Sequence, residues 1–204
     1  MRRPLAISIM LAAAAAFGGG CANPANSDDQ ADLPPLRTSP AKVLERLQWA
    51  YDNMDVEVYL DCLAADFIFL LNPRDVENDP DLEPGYWGNA EERVIHEQMF
   101  GAEGDHADNI LLTLTQVGDP LPVDPGDGTG THYQYKEAVD LRVYMGAWTY
   151  LATAPSLFRL RIDQDETGPQ GEQLWEIWRW QDLEGARSGR GAESSWGSIK
   201  ALFR

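Results

Sequence analysis

The chain has 204 residues, with 33 acidic against 16 basic side chains and a net charge of −17 at neutral pH. Such a surface excludes nucleic acid phosphates and anionic lipid headgroups as partners, because like charges repel on approach. Disorder is excluded as well, since 44% hydrophobic residues with seven Trp and seven Tyr supply a packed core.

At the start of the chain, Arg2 and Arg3 give a positive region, and an apolar stretch runs from Leu5 to Phe17. Gly18, Gly19 and Gly20 then lead to Cys21. This order resembles bacterial lipoprotein signal peptides, which are cut before a cysteine that then carries the lipid. Gly18 departs from the pattern, because that position is usually Leu. About 13 apolar residues are too few to span a hydrocarbon core, which takes about 20. Ordinary cleavage after Ala22, on Gly20-Cys21-Ala22, is the alternative and would discard Cys21. Removing residues 1–20 takes two of the 16 basic residues and none of the 33 acids, so the net charge moves from −17 to −19. Membrane attachment of such a chain must come from an acyl chain such as palmitate on Cys21. No aspartate follows Cys21, so outer-membrane sorting, facing the periplasm, is the expected address. Residues 21–40 read as lipid anchor and Pro-rich flexible tether, with a reach of roughly 25 Å. About 165 residues then remain, enough for one domain over 41–204.

Ser39 before Pro40 is a helix start, and Val43, Leu44, Leu47, Tyr51 and Met54 follow at helical spacing over 40–53. Trp49 falls on the opposite side. Asp55 opens a short helix to about Leu63, in which Cys62 reads as a buried, inert thiol. An apolar strand is predicted over 64–71. An acidic, Pro-rich loop is predicted over 72–88, and its alternating acids lack the glycine and glutamate spacing of a calcium loop. Asn89 with Glu92 reads as a capping box for a helix over 90–101.

Four strands are predicted at 108–117, 132–145, 149–164 and 173–182, with a short helix at 195–203. Val139, Leu141, Val143 and Met145 alternate with Asp140 and Arg142, and Phe158, Leu160 and Ile162 alternate with Arg159, Arg161 and Asp163. Both patterns are those of half-buried antiparallel strands. Arg142, Arg159 and Arg161 are expected to make cross-strand ion pairs with Asp140, Asp163 and Glu176. The last strand sets Trp175 and Ile177 against Trp178 and Trp180, which predicts cover on both faces, by the segment around Trp196 or by a second subunit in a homodimer formed through the sheet.

Two stretches carry a family resemblance: Ser39-Pro40 through Asp66-Phe67-Ile68-Phe69, and Trp175 to Asp182. The order of elements from about 40 to 183 resembles the nuclear transport factor two-like superfamily, which includes the SnoaL-like polyketide cyclases. The resemblance implies an α+β fold, a cone-shaped curved antiparallel sheet wrapped around three N-terminal helices, with a pocket inside. Tyr51, Phe69, Trp87 and Trp180 are the candidates for its lining.

Enzymes of that superfamily pair a carboxylate or His with a Tyr or second acid in an apolar cavity. The corresponding candidates are Asp66, His96, Tyr51 and Asp182. Each has a plainer reading: Asp66 as a turn residue, His96 as a satisfied structural histidine, and Asp182 as the partner of Arg179 or a solvated strand end. The cysteines and His96, His106 and His132 show no metal-ligand spacing, and no cofactor motif is present. The function expected is therefore an envelope lipoprotein with a non-catalytic domain that binds a small apolar ligand or a partner protein. The alternative is a SnoaL-like isomerase or hydratase using acid–base residues in the cone.

Overall fold

A computed structural model describes residues 33–101, 106–124, 130–183 and 193–204. Residues 1–32, where the leader is expected, and Cys21 with them, lie outside the described residues. The folded unit begins at Pro34, earlier than the tether end expected at 40. Arg37 explains the difference. Its side chain is 5% exposed, it pairs with Asp61, Asp163 and Glu166, and its carbonyl accepts from the N–H of Trp175 at 2.8 Å.

Helix α1 (Pro40–Asp52) starts where Ser39 accepts from the N–H of Lys42, and α2 (Val56–Asp61) starts where Asp55 accepts from that of Val58. The buried face of α1 is Val43, Leu44, Leu47, Ala50 and Tyr51. Strand β1 (Leu63–Leu70) follows. The stretch expected to be a loop instead holds α3 (Pro73–Asn78), a 3₁₀ turn (Pro80–Leu82) and β2 (Tyr86–Gly88). Strand β2 lays Trp87 on the ring of Phe69, with centroids 5.6 Å apart.

The cap of α4 (Asn89–Met99) is shifted by one residue from the predicted box. Gly88 is the N-cap, and its N–H donates to the side chain of Glu91. Glu92 is thereby released from capping and turns into the core with Ile95, His96 and Met99.

Strands β3 (Asn109–Gln116), β4 (Leu121–Val123), β5 (His132–Met145), β6 (Trp148–Ala152), β7 (Ser156–Thr167), β8 (Gln173–Asp182) and β9 (Glu193–Ser194) complete the sheet. The single strand expected at 149–164 is two, β6 and β7, interrupted around Pro155, which has no N–H to give a ladder. Among the described residues nine strands form one sheet, with β5 pairing antiparallel to β3, β4, β6 and β7. The pairs β1–β8 and β6–β9 are parallel, so the sheet is mixed.

Strand β8 corrects the reading of its tryptophans. Arg159 pairs with Arg179 but Leu160 with Ile177, so Trp178 is an extra, bulged residue. The bulge reverses the alternation, and Ile177 and Trp180 both face the interior. Trp178 faces out, beneath the guanidinium groups of Arg159 and Arg179 and against the ring of His132. Helix α5 (Trp196–Lys200) and a 3₁₀ turn (Ala201–Phe203) close the chain on the inner side. There Trp196 meets Trp180 edge-on at 4.1 Å.

Candidate functional site

The interior of the cone carries polar groups that no water reaches. Tyr51 from α1, Tyr59 from α2, Glu92 and His96 from α4, and Lys200 from α5 are all 0% exposed. Helical spacing places Glu92 and His96 one turn apart on the apolar stripe of α4, and that stripe faces α1 and α2.

The hydrogen bonds determine the protonation of His96. Its Nδ1 lies 2.8 Å from the carbonyl oxygen of Glu92, which only accepts, so Nδ1 carries the proton. Its Nε2 then accepts from the hydroxyl of Tyr51 at 2.7 Å. The same hydroxyl oxygen accepts from Nε1 of Trp196 at 3.1 Å. Burial, reinforced by the charge of Lys200, holds the imidazole well below its ordinary pKa, so the ring is neutral. Its 3.3 Å contact with Oε2 of Glu92 is for that reason not an ion pair. The ring also stacks on Tyr59 at 3.6 Å.

Glu92 is the hub of a second set. Tyr59 donates to its Oε2 at 2.7 Å, and Nζ of Lys200 donates to both oxygens at 2.9 Å. Burial pulls the ammonium pKa of Lys200 down while Glu92 opposes that shift, and the short bidentate contact keeps the two as an ion pair. Burial followed by the Glu92 charge pushes both phenols well above their ordinary range. Tyr51 and Tyr59 are therefore neutral donors.

Asp182 sits apart from this set. It is 1% exposed, and its Oδ2 accepts from the N–H of Gly197 at 2.9 Å, while Oδ1 has no partner among the described atoms. Burial raises its pKa to about 7 against the lowering effect of the Gly197 bond. It holds the start of α5 to the sheet and does not bond Tyr51 or His96. A Cβ at Gly197 would lie 2.6 Å from Cδ2 of Leu71, so a side chain there would require Leu71 to shift.

Of the four catalytic candidates, Tyr51 and His96 are brought together, Asp182 serves α5, and Asp66 is outside. The register of β1 against β8 slips between Leu63 and Ile68, which turns Asp66 to solvent, where it pairs with Arg161. The lining candidates Tyr51, Phe69, Trp87 and Trp180 are buried in the interior, with Trp180 5.3 Å from Phe69. Trp49 is only half-buried. Cys62 is buried and its thiol is pushed up to about 12 by burial, which makes it inert. Among the described residues no group of three or more His, Cys, Asp or Glu is placed to hold a metal ion.

The sequence reading gave Glu92 only a capping role and Trp196 only that of covering the last strand, and it did not single out Lys200 or Tyr59 for the site. A signal was available for the charged pair. Glu92 stands in step with Ile95, His96 and Met99, and Lys200 with Trp196, Ile199 and Phe203. Each is a lone charge of opposite sign on an apolar helical stripe.

No family model matches the chain, and no curated protein matches it by sequence. Solved structures do. A provisionally assigned scytalone dehydratase from Novosphingobium aromaticivorans superposes with a TM-score of 0.50 at 10% identity, over 75% of this chain and 88% of that one. The domain has the nuclear transport factor two-like fold. Two further cones are similar at lower scores. One is a nuclear transport factor 2-like superfamily protein from Salmonella enterica, with a TM-score of 0.43 and 16% identity over 75% and 93% of the two chains. The other is a provisionally assigned aromatic ring hydroxylase from Novosphingobium aromaticivorans, with a TM-score of 0.49 and 16% identity over 76% and 92%. At these identities the likeness concerns the fold alone. In this cone the side chains of Trp196, Lys200 and Phe203, all 0–1% exposed, come from the chain's own last turns.

Proposed function

We propose that the chain is an envelope lipoprotein, anchored through Cys21, whose nuclear transport factor two-like cone is a non-catalytic binding module. The observation that supports the non-catalytic part is hydrogen-bond saturation. The hydroxyl of Tyr51 donates to His96 and accepts from Trp196, and the other nitrogen of His96 is engaged by Glu92. Glu92 is in turn taken up by Tyr59 and Lys200. General acid–base chemistry needs a proton or lone pair aimed at the place a substrate atom will occupy. Within the set of Tyr51, His96, Glu92, Tyr59 and Lys200, each such group is aimed at another group of the protein.

Complementation of a deletion strain tests this reading. A folded Tyr51→Phe variant keeps the volume and removes the proton donor, so it should restore the wild-type phenotype. Failure at normal abundance, with the variant folded at the assay temperature, would make Tyr51 chemically active. The anchor is tested separately: Cys21→Ser should move the protein from the detergent phase to the aqueous phase, and unchanged partitioning would refute it.

The 2.7 Å contact between Tyr51 and His96 favours a second reading. In it the domain is a SnoaL-like isomerase or hydratase, and the neutral imidazole acts as the base once the C-terminal segment has withdrawn.

A further inference from the structure

The interior contains a cage for a cation, and its nearest walls do not belong to the segment that fills it. Nζ of Lys200 lies 4.0 Å from the ring centroid of Phe69, 4.3 Å from that of Trp180 and 5.9 Å from that of Tyr59. Both carboxylate oxygens of Glu92 lie 2.9 Å away. Phe69 is on β1, Trp180 on β8, Tyr59 on α2 and Glu92 on α4, so the nearest walls belong to the cone. From α5 come the cation and one more distant ring, that of Trp196 at 5.8 Å.

The geometry selects among cations. Two N–H bonds of an ammonium reach the two oxygens of Glu92, and the rest of the head group faces the negative faces of two rings. A tetraalkylammonium has no proton for Glu92, and a neutral head group forfeits both the ion pair and the ring contacts. Packing alone does not call for a lysine in this place. An apolar side chain would fill the same volume without desolvating a charge. The contacts that hold α5, from Trp196 to Tyr51, from Gly197 to Asp182 and from Lys200 to Glu92, all run to groups of the cone.

We propose that the cone is a binding site for small primary alkylammonium compounds and that Lys200 occupies it as an internal ligand. This rests on reading the cone as a binding module, and it narrows the ligand from an apolar molecule to an amine on an apolar chain.

Lys200→Ala in the full chain tests the proposal, because n-propylammonium supplies the three carbons and the nitrogen that the substitution removes. The thermal midpoint of the variant should fall, and n-propylammonium chloride should restore at least half of the loss. At matched concentration n-propanol, ammonium chloride and tetramethylammonium chloride should not. Wild type, with its cage filled, should not respond to n-propylammonium, and Lys200→Ala/Glu92→Gln should lose the response. Equal rescue by n-propanol would identify an apolar hole and overturn the proposal. So would an unresponsive variant, or an equal shift in wild type. If Lys200→Ala does not fold unaided, refolding yield with the amine against the alcohol gives the same decision. Failure of this test leaves the non-catalytic reading standing, because that reading depends on complementation by Tyr51→Phe and not on amine selectivity.

Discussion

The cone has an inside and an outside, and each carries ion pairs of the same chemical kind. Outside, Arg142 pairs with Asp140, and Arg161 pairs with Asp66 and Glu176 along the polar face of the sheet. Inside, Glu92 pairs with Lys200 where neither side chain is exposed. Water competes for the outer pairs and screens them, so they add little to stability. The inner pair has left water entirely. Its members are tolerable only together, and only because Tyr59 supplies Glu92 with a further donor. Position relative to water, and not the residues involved, makes one set decorative and the other decisive.

The sharpest way to break this contrast is to remove one inner charge. Lys200→Met should destabilise the domain by about 3–5 kcal/mol, since it strands a carboxylate among aromatic rings. At this chain length that is a fall of roughly 10 °C or more in the thermal midpoint. Adding Glu92→Gln, which still accepts from Tyr59, should return most of the loss. If the double variant is no better than the single one, the cost lies in packing and not in the stranded charge. Next in size, Tyr51→Phe should cost about 1–3 kcal/mol, read by urea denaturation. It leaves the N–H of Trp196 and Nε2 of His96 without partners.

A pH titration sharpens the comparison further, because among the described residues the carboxylates raised to about 7, Asp182 and Glu137, are both buried. Burial, opposed by the Gly197 N–H and by Lys200 and reinforced by Asp75, puts Asp182 at about 7 in the folded state. Its unfolded value is about 3.9. A raised folded pKa gives stability that is fully present below the unfolded value and is lost as the pH rises through the folded one. The domain should therefore be more stable at pH 5.5 than at pH 8, with Asp182 supplying on the order of 2 kcal/mol of the difference. Glu137, raised to about 7 by burial, acts in the same direction. His96 acts oppositely. Its folded pKa is depressed, so its contribution is present above about 6.5 and lost as the pH falls below that. Asp182→Asn still accepts from Gly197 but cannot titrate, so its curve of midpoint against pH should be flatter. An unchanged curve would mean that Asp182 does not hold the proton.

The legibility of the two sides in the sequence differs for a physical reason. The outer pairs follow from strand period: Asp140 and Arg142 stand two residues apart on one face, and the register of β7 on β8 brings Arg161 to Glu176. Helix starts at Ser39 and Asp55 and the spans of β3, β5 and β8 were legible in the same way, from local chemistry. The inner pair joins positions 92 and 200, and no local rule links them. Glu92 also resembled a capping residue, until Gly88 took the N-cap and Glu91 reached back to it. A bulge at Trp178 and a register slip before Ile68 likewise depend on the partner strand. They decide which of Trp178 and Trp180 faces the interior, and they turn Asp66 away from it.

Asp66 gives the smallest expected effect and the cleanest control. Its side chain is 64% exposed, and its partner Arg161 keeps Glu176 at 2.7 Å when Asp66 is changed. Asp66→Asn removes one charge from a solvated pair and leaves no buried group unsatisfied. The change in unfolding free energy should stay within about 0.5 kcal/mol, and complementation of a deletion strain should be unaffected. The small loss should shrink further in high salt, because exposed pairs are screened. The effect of Lys200→Met, whose partner is shut away from ions, should not move with salt. A salt dependence of equal size in the two variants would mean that the interior is open to water, and the division between inside and outside would then fail.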